Sequence, residues 1–94
     1  PKRRLVVIGG DTPPETIRSR HLYLCRDDGD DWSVAMRCPC GCGEKLELML
    51  LEEAKPKWTL KTKDQDPPTL HPSVWRQSGC GAHFWLRDGR VHWC

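Results

Sequence analysis

Apolar residues in this chain come in short runs with a period close to two, each run closed by Gly, Pro or Asp. Leu5-Val6-Val7-Ile8 is ended by Gly9-Gly10, and His21-Leu22-Tyr23-Leu24-Cys25 forms the next strand-like run. Between them, Asp11-Thr12 before Pro13-Pro14 reads as a cap with proline at a helix start, which predicts one or two helical turns over residues 14–19. An acidic turn with a central Gly29 spans residues 26–31, and residues 32–37 alternate weakly as a strand. Lys45-Leu46-Glu47-Leu48-Met49-Leu50 alternates polar and apolar as a half-buried strand does. Lys57-Trp58-Thr59-Leu60-Lys61 repeats the pattern and is expected to bury Trp58 and Leu60 together, with a polar exposed loop over residues 62–68. The chain closes on Phe84-Trp85-Leu86-Arg87, Asp88-Gly89 and Arg90-Val91-His92-Trp93. Asp-Gly between β-rich runs is a strong hairpin signal, because both turn residues must tolerate positive φ.

Two segments interrupt this alternation with chemistry. Cys38-Pro39-Cys40-Gly41-Cys42-Gly43 joins two predicted strands, and Cys80-Gly81-Ala82-His83 precedes the last hairpin. Thiolates and imidazole are the ligands zinc prefers, and pairs of ligands from two separate segments are how structural zinc sites are built. The expected fold is therefore small and all-β, or β-rich with one or two short helical turns. It is zinc-ribbon-like, with two hairpins joined by a structural Zn2+. Five ligands compete for four places. Cys38 and Cys42 with Cys80 and His83 make one solution and leave Cys40 spare, a possible thiolate nucleophile. Cys38, Cys40, Cys42 and Cys80 make the other and leave His83 free.

Composition sharpens the metal reading. Only 37% of the 94 residues are hydrophobic, 30% are charged, and Gly and Pro contribute eight each. Backbone ordering costs roughly 1–2 kcal/mol per residue, which so thin a core offsets poorly. A structural zinc supplies an apparent 10–16 kcal/mol or so, enough to decide folding. The chain is thus expected to be a single zinc-stabilised domain over residues 1–94. Disulfides are the competing use of six cysteines, but three of them lie within five residues and no secretion signal accompanies them. Cys25 and Cys94 are expected to be reduced and packed as small hydrophobes.

The net charge of +2 is too mild to argue for nucleic acid. No apolar run approaches the roughly 18 residues of a membrane span. The start is basic, but its apolar run is too short for a signal peptide, and a chain beginning at proline reads as one that has lost its initiator Met. The expected location is cytoplasmic.

Upstream of Cys80 lies Leu70-His71-Pro72-Ser73-Val74-Trp75-Arg76. Proline places Ser73 on a defined turn. One reading makes Ser73 the N-cap of a short helix through Gln77, with Val74 and Trp75 packed inward. The other makes Ser73 a nucleophile, with His83 as its base and His71 as the alternative. His21 and His92 are expected at the surface. No carboxylate stands out as an orienting third group: Asp88 belongs to the turn, leaving Glu44 or Asp66. Trp32, Trp58, Trp75, Trp85 and Trp93 are expected to build the core. An exposed tryptophan beside Arg76, Arg87 or Arg90 would instead serve to stack bases.

Taken together, Cys-Pro-Cys-Gly-Cys-Gly-Glu, Leu-His-Pro-Ser-Val-Trp-Arg, Gly-Cys-x-x-His-Phe and Gly-Arg-Val-x-Trp-Cys resemble a family of small bacterial proteins. Its members are encoded beside ubiquitin-like modifiers and their activating and conjugating enzymes. The resemblance covers Leu5 to Cys94 and implies a zinc-containing serine peptidase acting on the ubiquitin-like protein, by C-terminal processing or by removal from targets. It implies Ser73 and His83 as the catalytic pair, and so favours the all-thiolate set Cys38, Cys40, Cys42 and Cys80. Activating or conjugating enzymes are further implied partners. A non-catalytic zinc-ribbon adaptor for a protein or nucleic acid is the alternative, and a catalytic zinc with an open position is a weaker one.

Overall fold

A computed structural model describes residues 3–10, 12–54, 57–61, 67–76 and 79–94. Among the described residues, nine strands form three sheets and there is no helix. Strands β1 (Arg4–Gly9), β2 (His21–Asp27), β3 (Asp30–Arg37) and β4 (Lys45–Met49) make one sheet in sequence order. Strands β5 (Thr59–Lys61) and β6 (Thr69–His71) pair with each other, and β7 (Val74–Trp75), β8 (His83–Arg87) and β9 (Arg90–Trp93) make a three-stranded sheet.

The hairpin expected at Asp88-Gly89 is present, and a second tight hairpin forms where the sequence reading placed an acidic turn. Asp28 and Gly29 join β2 to β3 with φ of 54° and 81°, and Asp88 and Gly89 join β8 to β9 with φ of 50° and 77°. The β2–β3 strands run further into the acidic segment than the sequence reading allowed, so the connection shrinks to two residues. The β3–β4 hairpin opens into the cysteine-rich connection, and the Cys38 amide donates to the Glu44 carbonyl at 2.9 Å to close its base.

The expected helical turns over residues 14–19 do not form. Their backbone groups are taken by distant side chains instead of by one another. Arg37 Nε donates to the Ile17 carbonyl at 2.9 Å, Arg3 Nη1 donates to the Ser19 carbonyl, and the Arg18 amide donates to the Tyr23 hydroxyl at 3.2 Å. The segment serves as the crossover that lets β1 pair parallel with β2, Leu5 against Leu22 and Val7 against Leu24. Buried Ile17 closes it onto Tyr23 and Ala35, forming a small core on one face of the four-stranded sheet. The proposed cap residue Asp11 lies outside the described residues.

The larger core fills the opposite face. Leu22, Leu24, Val34, Met36, Leu46 and Leu48 from the four-stranded sheet meet Leu70, Val74, Phe84 and Leu86 from the two small sheets. Aliphatic residues and one phenylalanine build it, not the tryptophans. Trp75 and Trp93 are exposed, and Trp32, Trp58 and Trp85 are only partly covered. Trp58 and Leu60 do pack together against the core edge, as the alternation implied. Of the expected loop over residues 62–68, residues 62–66 lie outside the description, and Pro68 is fully buried, not exposed. Cys25 is buried as expected, whereas Cys94 is exposed. His92 is exposed, while His21 is half-buried with Nδ1 3.2 Å from the Tyr23 hydroxyl.

Candidate active site and metal centre

The cysteine-rich connection after β3 and the segment before β8 converge. The Sγ atoms of Cys38, Cys40, Cys42 and Cys80 all lie within 4.8 Å of one another. Cys38 Sγ is 3.3 Å from Cys40 Sγ and 3.5 Å from Cys80 Sγ. These separations are far longer than the ~2.05 Å of a disulfide. They match the edges of a tetrahedron with metal–sulfur bonds of about 2.3 Å, which are about 3.8 Å. The donor set fits a zinc ion. Gly41 and Gly43, with φ of 88° and 84°, give the backbone the reversals that bring alternate thiols onto one point.

The electrostatics of the cluster reflect its crowding. A hydrogen bond from the Ala82 backbone, ahead of the neighbouring thiols, brings the Cys80 thiol down to about 6. The Glu44 backbone likewise lowers Cys42. Cys40 is pushed up to about 12 by its hydrogen bonds with Cys42 and Cys38, since a further negative sulfur in so small a volume is costly without a cation. Arg76 supplies positive charge from outside, its Nη1 lying 3.5 Å from Cys42 Sγ and 3.4 Å from Cys80 Sγ.

His83 stands outside this cluster. Its Nε2 lies 3.0 Å from Ser73 Oγ. The N-cap reading of Ser73 fails, because Val74 and Trp75 continue as strand β7 and pair antiparallel with Phe84 and His83. Val74 points into the core, but Trp75 is 58% exposed. Cross-strand partners share a face, and the Trp75 indole accordingly stacks on the His83 imidazole, 5.2 Å between centroids and 21° between planes. The helix end expected at Gln77 lies outside the described residues.

Two further contacts that sequence reasoning left aside fix this segment. Trp58 Nε1 donates to the Ser73 carbonyl at 3.3 Å, and the Arg76 amide donates to the Ala82 carbonyl at 2.8 Å, closing the segment that carries Cys80. No local signal in the sequence links Trp58 to Ser73, which lie fifteen positions apart. The alternative base His71 packs edge-on against Trp85 instead, 6.1 Å between centroids. Among the described residues no carboxylate bonds the His83 ring. Asp88 sits in the β8–β9 turn and Glu44 is exposed at the base of the cysteine loop, while Asp66 lies outside the described residues.

One short segment carries Ser73, His83 and the fourth thiol of the cluster, Cys80. The model of the bacterial ubiquitination-like system serine protease family, BubE, matches residues 10–94. The chain belongs to the BubE family. The match covers both sites, from the crossover before β2 to the final residue, and agrees with the resemblance carried by the cysteine and Pro-Ser-Val motifs. No curated protein and no solved structure matches the chain. As a BubE-family member it is related to a serine protease of a ubiquitination-like system, and its four cysteines are close enough to hold a metal ion. Among the described residues, no helix is long and apolar enough to cross a membrane.

Proposed function

We propose that this chain is a serine peptidase that acts on the C-terminal tail of a ubiquitin-like protein, trimming it or releasing it from targets. Ser73 is the nucleophile and His83 its general base. The observation that carries this reading is the 3.0 Å separation of Ser73 Oγ and His83 Nε2, which is within the reach proton transfer requires. With the proton of neutral His83 on Nδ1, the Ser73 hydroxyl donates to Nε2. As Oγ attacks the scissile carbonyl, Nε2 takes the hydroxyl proton and a tetrahedral oxyanion forms. The same imidazolium then gives its proton to the leaving amine, and water repeats the cycle on the acyl-enzyme. Backbone amides around Ser73 or the Gly79–Gly81 segment would hold the oxyanion in this mechanism. Trp75 supports the imidazole from one face, in a site where no described carboxylate orients it.

Cys38, Cys40, Cys42 and Cys80 hold a structural zinc in this proposal. Bound there, the ion neutralises crowded thiolates and cross-links the β3–β4 connection to the segment leading into β8. Four thiolates close the coordination sphere, which leaves no open position for water and no spare thiol at Cys40. The ion stabilises one domain over residues 1–94, and its effect on the dyad is to fix the Cys80–His83 segment. Activating and conjugating enzymes of a ubiquitination-like system would be further partners in this reading, an implication of the sequence resemblance.

The test is incubation of the purified protein with the ubiquitin-like protein of its system, followed by intact-mass spectrometry. Release of a C-terminal fragment is expected. Ser73→Ala and His83→Ala should each lower the rate about a thousandfold or more. Cleavage by Ser73→Ala at the wild-type rate would sink the reading.

A further inference from the structure

The register of the three-stranded sheet puts a second set of side chains in line with the dyad. Trp75 pairs with His83, Trp85 with His92, and Arg87 with Arg90. Side chains alternate across a strand, so His83, Trp85 and Arg87 share one face with Trp75, Arg90 and His92. Phe84 and Leu86 take the other face and are fully buried. The outward face is thus a ladder, with the serine–histidine pair at one end, an aromatic middle, and two guanidinium groups at the other.

The arginine end carries the features of an anion site. Like charges directly opposite each other across two strands are destabilising. Here Arg87 and Arg90 face each other beside a two-residue turn, and both are exposed. Neither has a carboxylate within ion-pair distance among the described residues, where the ion pairs are Arg26–Asp31 and Lys57–Glu52. Arg87 is not loose: its guanidinium lies 4.7 Å from the Trp85 ring centroid, and Trp85 is braced by the edge of His71. Arg87, Arg90, His92 and Asp88 line a shallow concavity. Asp88 opposes an anion there, but its backbone is committed to the turn, with its amide donating to Thr69 Oγ1 at 2.9 Å.

We propose that this face is a docking track for the substrate tail, with Arg87 and Arg90 receiving its C-terminal carboxylate. Arg87 lies four positions after His83, which at about 3.4 Å per residue is roughly 13–14 Å. An extended peptide spans that length in about four residues. The track fits a substrate whose free carboxylate lies about three to five residues beyond the scissile bond. Paired guanidinium donors suit a carboxylate, which accepts two parallel hydrogen bonds. The peptide occupant rests on the peptidase reading above. A nucleic acid is disfavoured by the net charge of +2 and by the acidic residue inside the concavity.

Binding by the Ser73→Ala protein separates docking from turnover. The probe is a fluorescein-labelled peptide of about eight residues from the C-terminal tail of the ubiquitin-like protein, made as the free acid and as the C-terminal amide. The free acid is expected to bind about tenfold or more tighter than the amide. Adding Arg87→Gln with Arg90→Gln should bring the free acid down to the amide's affinity, with far-ultraviolet circular dichroism unchanged. Equal binding of acid and amide, or no binding of either, overturns the proposal. So does displacement of the free acid by a single-stranded oligonucleotide at low salt. If the double variant fails to fold, the acid–amide comparison still decides. Wild-type protein that cleaves neither peptide, while Ser73→Ala keeps the acid preference, overturns the Ser73 assignment and leaves the docking track standing.

Discussion

The indole of Trp75 lies over the imidazole of His83 in a near-parallel stack, 5.2 Å between centroids, and more than half of Trp75 is open to solvent. A tryptophan left that exposed contributes little to the core. Its position two residues from Ser73 and across the strand from His83 suits it, under the proposed mechanism, to fix the plane of the ring that Ser73 faces.

Trp75→Ala is accordingly expected to lower kcat by about tenfold with a smaller change in KM, because a misaligned base weakens the proton transfer. Thermal stability should fall only slightly. Trp75→Phe, which keeps a stacking face, should recover most of the rate. Steady-state kinetics on all three proteins check this. Equal kcat for Trp75→Ala and wild type would remove the positioning role.

Trp58 acts from the other side, through the hydrogen bond from its indole to the Ser73 carbonyl. Trp58→Phe keeps most of the packing and loses the donor. A bond of this kind is worth about 0.5–1.5 kcal/mol. The expected result is a few-fold lower kcat with the fold intact, read from parallel kinetics and circular dichroism.

The thiol cluster predicts one zinc per chain by elemental analysis. Chelation should unfold the protein and abolish activity together, since the ion's apparent contribution of about 10–16 kcal/mol exceeds what a small domain holds in reserve. Cys80→Ser should lose the metal. Cys94→Ser, at an exposed position outside the cluster, should retain both metal and activity.

Gly89 is the most constrained glycine of the fold. Its φ is +77°, and a Cβ there would lie 2.9 Å from both the Arg3 carbonyl oxygen and Pro67 Cβ. The turn is pinned at this point, as the Gly89 amide donates to the Pro68 carbonyl and its own carbonyl accepts from the Arg3 amide, each at 2.7 Å. Gly89→Ala is expected to cost roughly 2–5 kcal/mol, combining left-handed strain with overpacking. Differential scanning calorimetry should show a Tm lower by about 4–8 °C for each kcal/mol.

The local sequence determined what local chemistry can encode. Alternating apolar residues gave the strands, Asp88-Gly89 gave the last hairpin, the acidic segment around Gly29 gave a turn, and closely spaced thiols marked a candidate metal site. Each of these depends on neighbours a few positions away. The crossover over residues 14–19 escaped the same reasoning, because its carbonyls are satisfied by Arg3 and Arg37, donors that no local pattern reveals. The tryptophans were misassigned to the core for a related reason: composition says how much aromatic surface exists, and only the sheet register says which face carries it. In the sequence, the competition between His83 as ligand and as base was a matter of counting alone, five candidate ligands for four places. The tertiary structure sets them apart in space: β7 pairs with β8 in a register that puts Trp75 opposite His83, with Ser73 Oγ 3.0 Å from the His83 ring, while Cys80, three residues earlier, lies among the thiols.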